Sequence, residues 1–254
     1  MIINKLVVKA GTKCSLKCEK CGEFNPYLGE NTFDFNLEYL SNDVFKIAKC
    51  VEHINTVHIA GGEPFLHPNL YLFVSYLSNI QNIGLIEIVT NGTVIPNEIT
   101  LKLLLKLQRR IIVLVSDYSN ADVNQKRVIS LLEETGINHR VNKNMIWKDK
   151  SDTSFKNHDN DKLLSIAKNC ITFRDDYFSL INGIVTAHCP TSGSLMYFLG
   201  YDMADGFFFN LRQTEDDNIG AELSKLLKHE YTPMCNWCVP TNEAPDCVAG
   251  GQLK

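Results

Sequence analysis

Apolar positions along the chain follow two rhythms. Short β-branched runs at 6–9, 56–60, 85–90 and 111–116, with a weaker fifth near 139–147, predict strands. Between them Leu37, Leu40, Val44, Phe45, Ala48 and Val51 recur at helical spacing, as do Leu101, Leu104, Leu105 and Leu107. Strands alternating with helices are the pattern of βαβ units, which build a parallel sheet with helices covering its outside. A further helical pattern opens at 122–125, carries Val128, Leu131 and Leu132, and stops at Gly136, a residue suited to a helix C-terminus.

After Trp147 the rhythm breaks. Residues 148–162 are charged and polar, with Phe155 their only large apolar side chain, as expected of a solvated linker or surface loop. The chain therefore divides into an expected core over 1–150, a linker over 151–164 and a small domain over 165–254. In that last part, alternating runs at 177–181 and 184–188 flank Asn182-Gly183, a strong hairpin signal, and a short helix is expected over 221–229. The small domain is too short to owe its stability to burial alone.

Composition narrows the function classes. The 254 residues are 44% hydrophobic and 21% charged with a net charge of −4, which suggests neither disorder nor an electrostatic footprint for nucleic acid. The N-terminus has no basic region followed by a long apolar stretch, so no signal peptide is expected. The longest apolar runs, such as 111–115, fall far short of the roughly 20 residues of a membrane helix. A cytoplasmic protein that touches neither membrane nor nucleic acid is expected.

Nine cysteines in such a protein point to metal or catalytic chemistry, because reducing conditions disfavour structural disulfides. They are grouped. Cys14, Cys18 and Cys21 lie just after the first predicted strand, Cys50 stands apart, and Cys170, Cys189, Cys235, Cys238 and Cys247 follow the linker. Three thiolates on a four-iron cubane leave one iron open to another ligand. A structural zinc site needs four ligands, and no fourth cysteine or histidine stands near the triplet in sequence, so His53 or His58 would have to reach it through the fold.

The triplet, its place after strand one, and Gly61-Gly62-Glu63-Pro64 at the end of strand two together resemble the radical SAM superfamily. The resemblance implies a partial, open TIM-type parallel β/α barrel. It also implies a [4Fe–4S] cluster on Cys14, Cys18 and Cys21 that binds S-adenosylmethionine. Gly61, Gly62 and Glu63 would meet the methionyl amino group, with glycines permitting close approach. Thr90 and Asn91 after strand three, and Ser116 and Asp117 after strand four, fall where family members touch the ribose and carboxylate, although each segment also reads as ordinary turn chemistry. All lie at C-terminal strand ends, where α/β folds bind ligands. The residue before the third cysteine is commonly aromatic in the family and packs near adenine. Here it is Lys20.

The C-terminal cysteines allow either an iron–sulfur cluster or zinc on spacing alone. Behind a radical SAM core they resemble the Twitch domain, the shortened SPASM relative, which implies a second, auxiliary [4Fe–4S] cluster on Cys170, Cys189, Cys235 and Cys238. Cys247 is left over as an unimportant thiol, an alternative ligand or a catalytic hydrogen-atom donor. Cys50 reads as a small buried hydrophobe. His67 and Trp147 are candidates to face the site, but equally suit a turn and a core.

The layout looks most like small Twitch enzymes of carbohydrate metabolism, of the deoxy-scyllo-inosamine dehydrogenase type. It implies reductive cleavage of S-adenosylmethionine to a 5′-deoxyadenosyl radical, which abstracts hydrogen from a small polyol, sugar or nucleotide-sugar. Dehydrogenation and epimerisation are both open. The electron donor would be a flavodoxin or ferredoxin. A peptide-modifying maturase of the ribosomal-peptide or sulfatase kind is the alternative enzyme, and a zinc-binding scaffold is the non-enzymatic one.

Overall fold

The computed structural model describes every residue except Glu30, Asp122, Asn144, Asp175 and Lys254. Strands β1 (Ile2–Lys9), β2 (His53–Ala60), β3 (Ile83–Thr90), β4 (Ile111–Ser116) and β5 (His139–Asn142) form the predicted parallel array. Helices α1 (Leu37–Lys49), α2 (Leu70–Ser78), α3 (Glu98–Lys106) and α4 (Lys126–Thr135) connect them in turn. Ile3, Leu6 and Val8 of β1, Val57 and Ile59 of β2, and Ile86 and Ile88 of β3 pack in one buried cluster with Leu40, Val44 and Ile47 of α1 and Phe73 and Leu77 of α2. β4 is buried along its whole length, as a strand covered on both faces must be.

Local chemistry sets the helix ends. Asn36 accepts the Glu38 and Tyr39 N–H groups at 2.9 and 3.2 Å, and Asn97 accepts the Thr100 N–H at 2.8 Å, each satisfying donors that a first turn leaves unpaired. Gly136 ends α4 with φ 69°, as its residue type predicts. The expected start of that helix at Asp122 lies outside the described residues. On α1, Phe45 faces outward and Cys50, at the C-cap, is half-buried against α7 (Asp216–Leu226), its thiol 3.9 Å from the Asp216 carbonyl.

The hairpin expected beyond the linker is present as β7 (Tyr177–Ile181) and β8 (Ile184–Ala187), with Asn182 and Gly183 both at positive φ. β7 runs parallel to β1 and continues the same sheet, whose order is β5-β4-β3-β2-β1-β7-β8-β9, with β9 covering Phe208–Asn210. Arg212 locks this edge to α1. It donates from Nε and Nη2 to the buried Asp43 carboxylate at 3.1 and 2.7 Å, and from Nη1 to the Asn182 side chain at 2.9 Å.

Three expectations are refined. The fifth strand near 139–147 is two: β5 stays in the sheet, and β6 (Ile146–Lys148) leaves it to pair antiparallel with β10 (Asp246–Val248). The charged segment ends in α5 (Asn160–Asn169), capped by Asp159. The helix expected at 221–229 begins earlier, as α7. A further helix, α6 (Pro190–Leu199), packs on the hairpin through Gly193, where a Cβ would lie 3.0 Å from Ile181 and 3.1 Å from Thr186. Among the described residues no helix is long and apolar enough to cross a membrane.

Candidate active site

The loop that leaves β1 carries Cys14, Cys18 and Cys21, and the end of β2 holds it. Gly62 N–H donates to the Gly11 carbonyl at 2.9 Å, and Glu63 N–H to the Lys13 carbonyl at 2.7 Å. Two backbones meet here with no room for a side chain. A Cβ on Gly62 would strike the Lys13 carbonyl, and Gly61 has φ 132°. The glycines therefore set the cysteine loop in place as well as leaving space beside it.

At the C-terminal ends of β1 to β4 lies a cavity of ≈ 540 Å³. Cys14, Cys18 and Cys21 line it together with Gly61, Gly62, Thr90, Asn91 and Ser116. Burial pushes all three thiols up, Cys21 to about 12. They are thus poor free thiolates, and their deprotonation would have to be driven by a metal centre. Asn91 steadies the first of them, its Nδ2 standing 3.6 Å from Cys14 Sγ and 3.0 Å from Ser15 Oγ.

Three expected site residues stand off the cavity wall. The Glu63 carboxylate is buried and turned inward, accepting from Phe65 N–H at 3.1 Å, Thr90 Oγ1 at 2.8 Å and Asn91 N–H at 2.8 Å. Burial pushes it up to about 7 against these three donors. It fixes the β3 end on which Thr90 and Asn91 sit. Asp117 accepts from Ser119 N–H at 2.9 Å and donates its own N–H to the Asn142 carbonyl at 3.1 Å. Cys247 sits on β10 in register with Trp147. His67 is also elsewhere: it is buried, with Nε2 3.1 Å from the Phe35 carbonyl and Nδ1 accepting Asn69 N–H at 3.2 Å, a structural role.

Other wall residues carry no local motif. Asn25 is buried, donates from Nδ2 to the Gly61 carbonyl at 3.2 Å, and leaves Oδ1 without a partner among the described residues. The Gly61 carbonyl fixes the amide orientation, so a bare acceptor remains at the cavity. Beside it, Glu23 pairs with the fully buried Lys9 and accepts the Ser194 hydroxyl of α6 at 2.9 Å. Tyr118 and Trp147, also in the wall, meet edge to face at 5.3 Å. They supply the aromatic surface that Lys20 does not. Lys20 is held by Asp149 at 3.1 Å and Ser151 at 3.1 Å.

Cys170, Cys189, Cys235 and Cys238 line one small pocket that adjoins the first. Chain path explains the convergence: Cys170 ends α5, Cys189 begins α6 after the β7–β8 hairpin, and the other two bracket a short 3-10 turn over Pro233–Trp237. Burial raises Cys189 and Cys235, and Cys238 to about 11. Burial also pushes Cys170 up, but hydrogen bonds from Thr172 and Thr241 outweigh it and bring that thiol down to about 6. Thr172 and Thr191 line both pockets, so the two cysteine groups share a wall.

Among the described residues no three His, Cys, Asp or Glu side chains converge tightly enough for a single ion. A mononuclear zinc would draw its thiolates to about 2.3 Å from one centre. Cubane ligands each bind a separate iron, with sulfide between them, and need no such convergence. Half-buried and buried thiols grouped three and four to a pocket, with an orphaned acceptor beside the triplet, fit the clusters and S-adenosylmethionine.

The architecture is the expected partial, open parallel β/α barrel, and a solved structure shares it over its whole length. The crystal structure of BtrN in complex with AdoMet and 2-DOIA superposes on it with a TM-score of 0.58 at 15% identity, covering 100% of this chain and 99% of that one. Streptococcus suis SuiB bound to S-adenosylmethionine matches 55% of this chain at 20% identity with a TM-score of 0.44, and anSMEcpe with bound AdoMet matches 56% at 21% with a TM-score of 0.43. This chain spans 33% of SuiB and 44% of anSMEcpe. No family model and no curated protein sequence matches the chain.

Proposed function

We propose that this chain is a radical SAM enzyme that cleaves S-adenosylmethionine reductively and abstracts hydrogen from a small polyol, sugar or nucleotide-sugar, with a [4Fe–4S] cluster on each cysteine group. The observation that carries the reading is the shared wall: the triplet cavity and the four-cysteine pocket meet at Thr172 and Thr191. When bound, the cofactor pair supplies a hydrogen-abstracting species able to attack an unactivated C–H bond.

The protein's own groups suit the remaining tasks. Asn25 Oδ1 is an acceptor for the ammonium of a methionyl group, and Tyr118 with Trp147 offers apolar surface to a purine. Asn91 Nδ2 and the Ser116 and Thr90 segments offer polar contacts beside the triplet. The hydroxyls of Thr172, Thr191 and Thr241 line the side toward the second pocket, and Lys150 Nζ stands 3.3 Å from Thr172 Oγ1. With the Thr172 and Thr241 hydroxyls engaged at Cys170, the Thr191 hydroxyl and the Lys150 ammonium are the groups on that side that suit a polyhydroxylated substrate. The nearness of a second redox centre supports dehydrogenation over epimerisation, and a flavodoxin or ferredoxin is the expected reductant.

Anaerobic reconstitution tests the proposal. About eight irons per chain are expected, with 5′-deoxyadenosine released on addition of dithionite and S-adenosylmethionine. Substitution of Cys170 and Cys238 by alanine is expected to leave about four irons. A colourless zinc protein that forms no 5′-deoxyadenosine would overturn the reading, and turnover of peptides alone would replace its substrate class.

A further inference from the structure

Residues 250–253 run antiparallel beside the cysteine loop. Glu19 N–H donates to the Gly251 carbonyl at 2.7 Å and Leu253 N–H to the Lys17 carbonyl at 2.8 Å, with Cys18 and Gln252 paired between them. Gly250 permits the approach: it has φ 73°, and a Cβ there would lie 2.5 Å from Tyr118 Cγ.

Every polar atom of the Gln252 side chain is used. Oε1 accepts Lys17 N–H at 2.8 Å, while Nε2 donates to the Gly250 carbonyl at 2.5 Å and to Cys18 Sγ at 3.3 Å. A flipped amide would set donor against donor at Lys17 and acceptor against acceptor at Gly250. An N–H therefore faces the sulfur. Cys18 is buried, so the bond lies in a medium that screens it little.

We infer that Gln252 is a positioning residue for the cluster on Cys14, Cys18 and Cys21, and that its Nε2–H raises that cluster's reduction potential. The inference rests on the proposed function, which places a cluster on the triplet. Reduction adds negative charge that spreads onto the ligating sulfurs, and a hydrogen bond to a sulfur stabilises it. Among the described residues the other side-chain amide bonded to a triplet sulfur, Asn91 Nδ2, stands further from it, at 3.6 Å, and is shared with Ser15. Gln252 is the closer donor and the one held by a paired backbone.

Potentiometric EPR titration of the reconstituted holoenzyme reads the effect. The cluster on the triplet is identified as the signal that changes when S-adenosylmethionine is added. Gln252→Glu keeps the chain length and the Lys17 acceptor but replaces the donor with oxygen; Gln252→Leu removes both. In each variant the midpoint of the S-adenosylmethionine-responsive signal is expected to move to more negative potential, further in Gln252→Glu, while the other cluster's midpoint stays. Unchanged midpoints in both variants overturn the inference. Should either variant lose the cluster, unmutated holoenzyme labelled with 15N-glutamine decides: a nitrogen hyperfine coupling on the responsive signal supports the inference, and its absence overturns it. A wild-type protein with no iron on the triplet would instead sink the proposed function, a distinguishable failure.

Discussion

Lys9, the last residue of β1, is fully buried and pairs with Glu23, which follows the third cysteine of the triplet. The partners are unequal: Lys9 has 1% of its side chain exposed, Glu23 has 29%, and Glu23 also holds Ser194. Removing the carboxylate strands an ammonium in the core, whereas removing the ammonium leaves a carboxylate that water can reach. Glu23→Ala is expected to destabilise the protein by about 3–5 kcal/mol and Lys9→Met by about 1–2 kcal/mol, with the double variant recovering part of the larger loss. Urea denaturation of the three variants checks the order. Equal losses would show that burial does not govern the pair.

Glu87 on β3 makes a second prediction, this time of pH. Its carboxylate is partly desolvated, which would raise it, but His58 at 2.7 Å and Lys5 at 2.9 Å outweigh that and hold it at about 2 against an ordinary 4.5. Between those values the unfolded chain binds a proton that the folded chain does not, so stability rises with pH through that window. The contribution, about 3 kcal/mol at most, is fully present above 4.5 and lost as pH falls through about 2. Glu87→Gln is expected to flatten the acid limb of a stability–pH curve, measured by urea midpoints. A variant curve parallel to wild type would contradict the assignment.

How far the sequence reaches is clear from particular elements. β4 is legible because a β-branched run is what a doubly covered parallel strand requires, β2 because buried Val57 and Ile59 alternate with half-buried neighbours, and the hairpin because Asn182-Gly183 accepts two positive φ values. α6 is not legible: Pro-Thr-Ser-Gly-Ser is poor helix former, and the helix exists because Gly193 lets it lie against the hairpin and Leu195 joins Phe24, Met203 and Met234 in a separate buried cluster. β6 and β10 pair across almost the full length of the C-terminal region, a partnership no local period encodes. In the site, cysteine spacing carries its own chemistry. Asn25, Glu23 and Gln252 matter only through contacts with residues distant in sequence, so nothing around them in the chain marks them.

Asn25 gives the third prediction. Its unpartnered Oδ1 is a fixed, buried acceptor beside Gly61 and the triplet, so a donor from a ligand bound against it gains a hydrogen bond that no group of the described residues supplies. Asn25→Ala removes that acceptor and also leaves the Gly61 carbonyl unpaired. A loss of about tenfold in S-adenosylmethionine affinity is expected, equivalent to about 1.4 kcal/mol, with iron content unchanged. Equilibrium dialysis against labelled S-adenosylmethionine measures it. Wild-type affinity in the variant would remove Asn25 from the binding site.

On the proposed function, hydrogen abstraction from an alcohol carbon has two outcomes, and Cys247 discriminates between them. Oxidation to the ketone removes a second hydrogen, whereas epimerisation returns one, and a thiol can return it only if its S–H reaches the reacting carbon. Cys247 stands on β10 opposite Trp147; Trp147 lines the cavity and Cys247 does not. Burial, with Asp149 close by, raises its thiol and keeps the S–H intact, so its place off the cavity wall is what argues against hydrogen return. Cys247→Ala is therefore expected to retain both 5′-deoxyadenosine formation and substrate oxidation, with no solvent deuterium in the product when turnover is run in heavy water. Mass spectrometry of the product reads the result. If wild type instead incorporates deuterium and the variant loses it while still forming 5′-deoxyadenosine, the enzyme is an epimerase and a movement of β10 must bring Cys247 to the cavity.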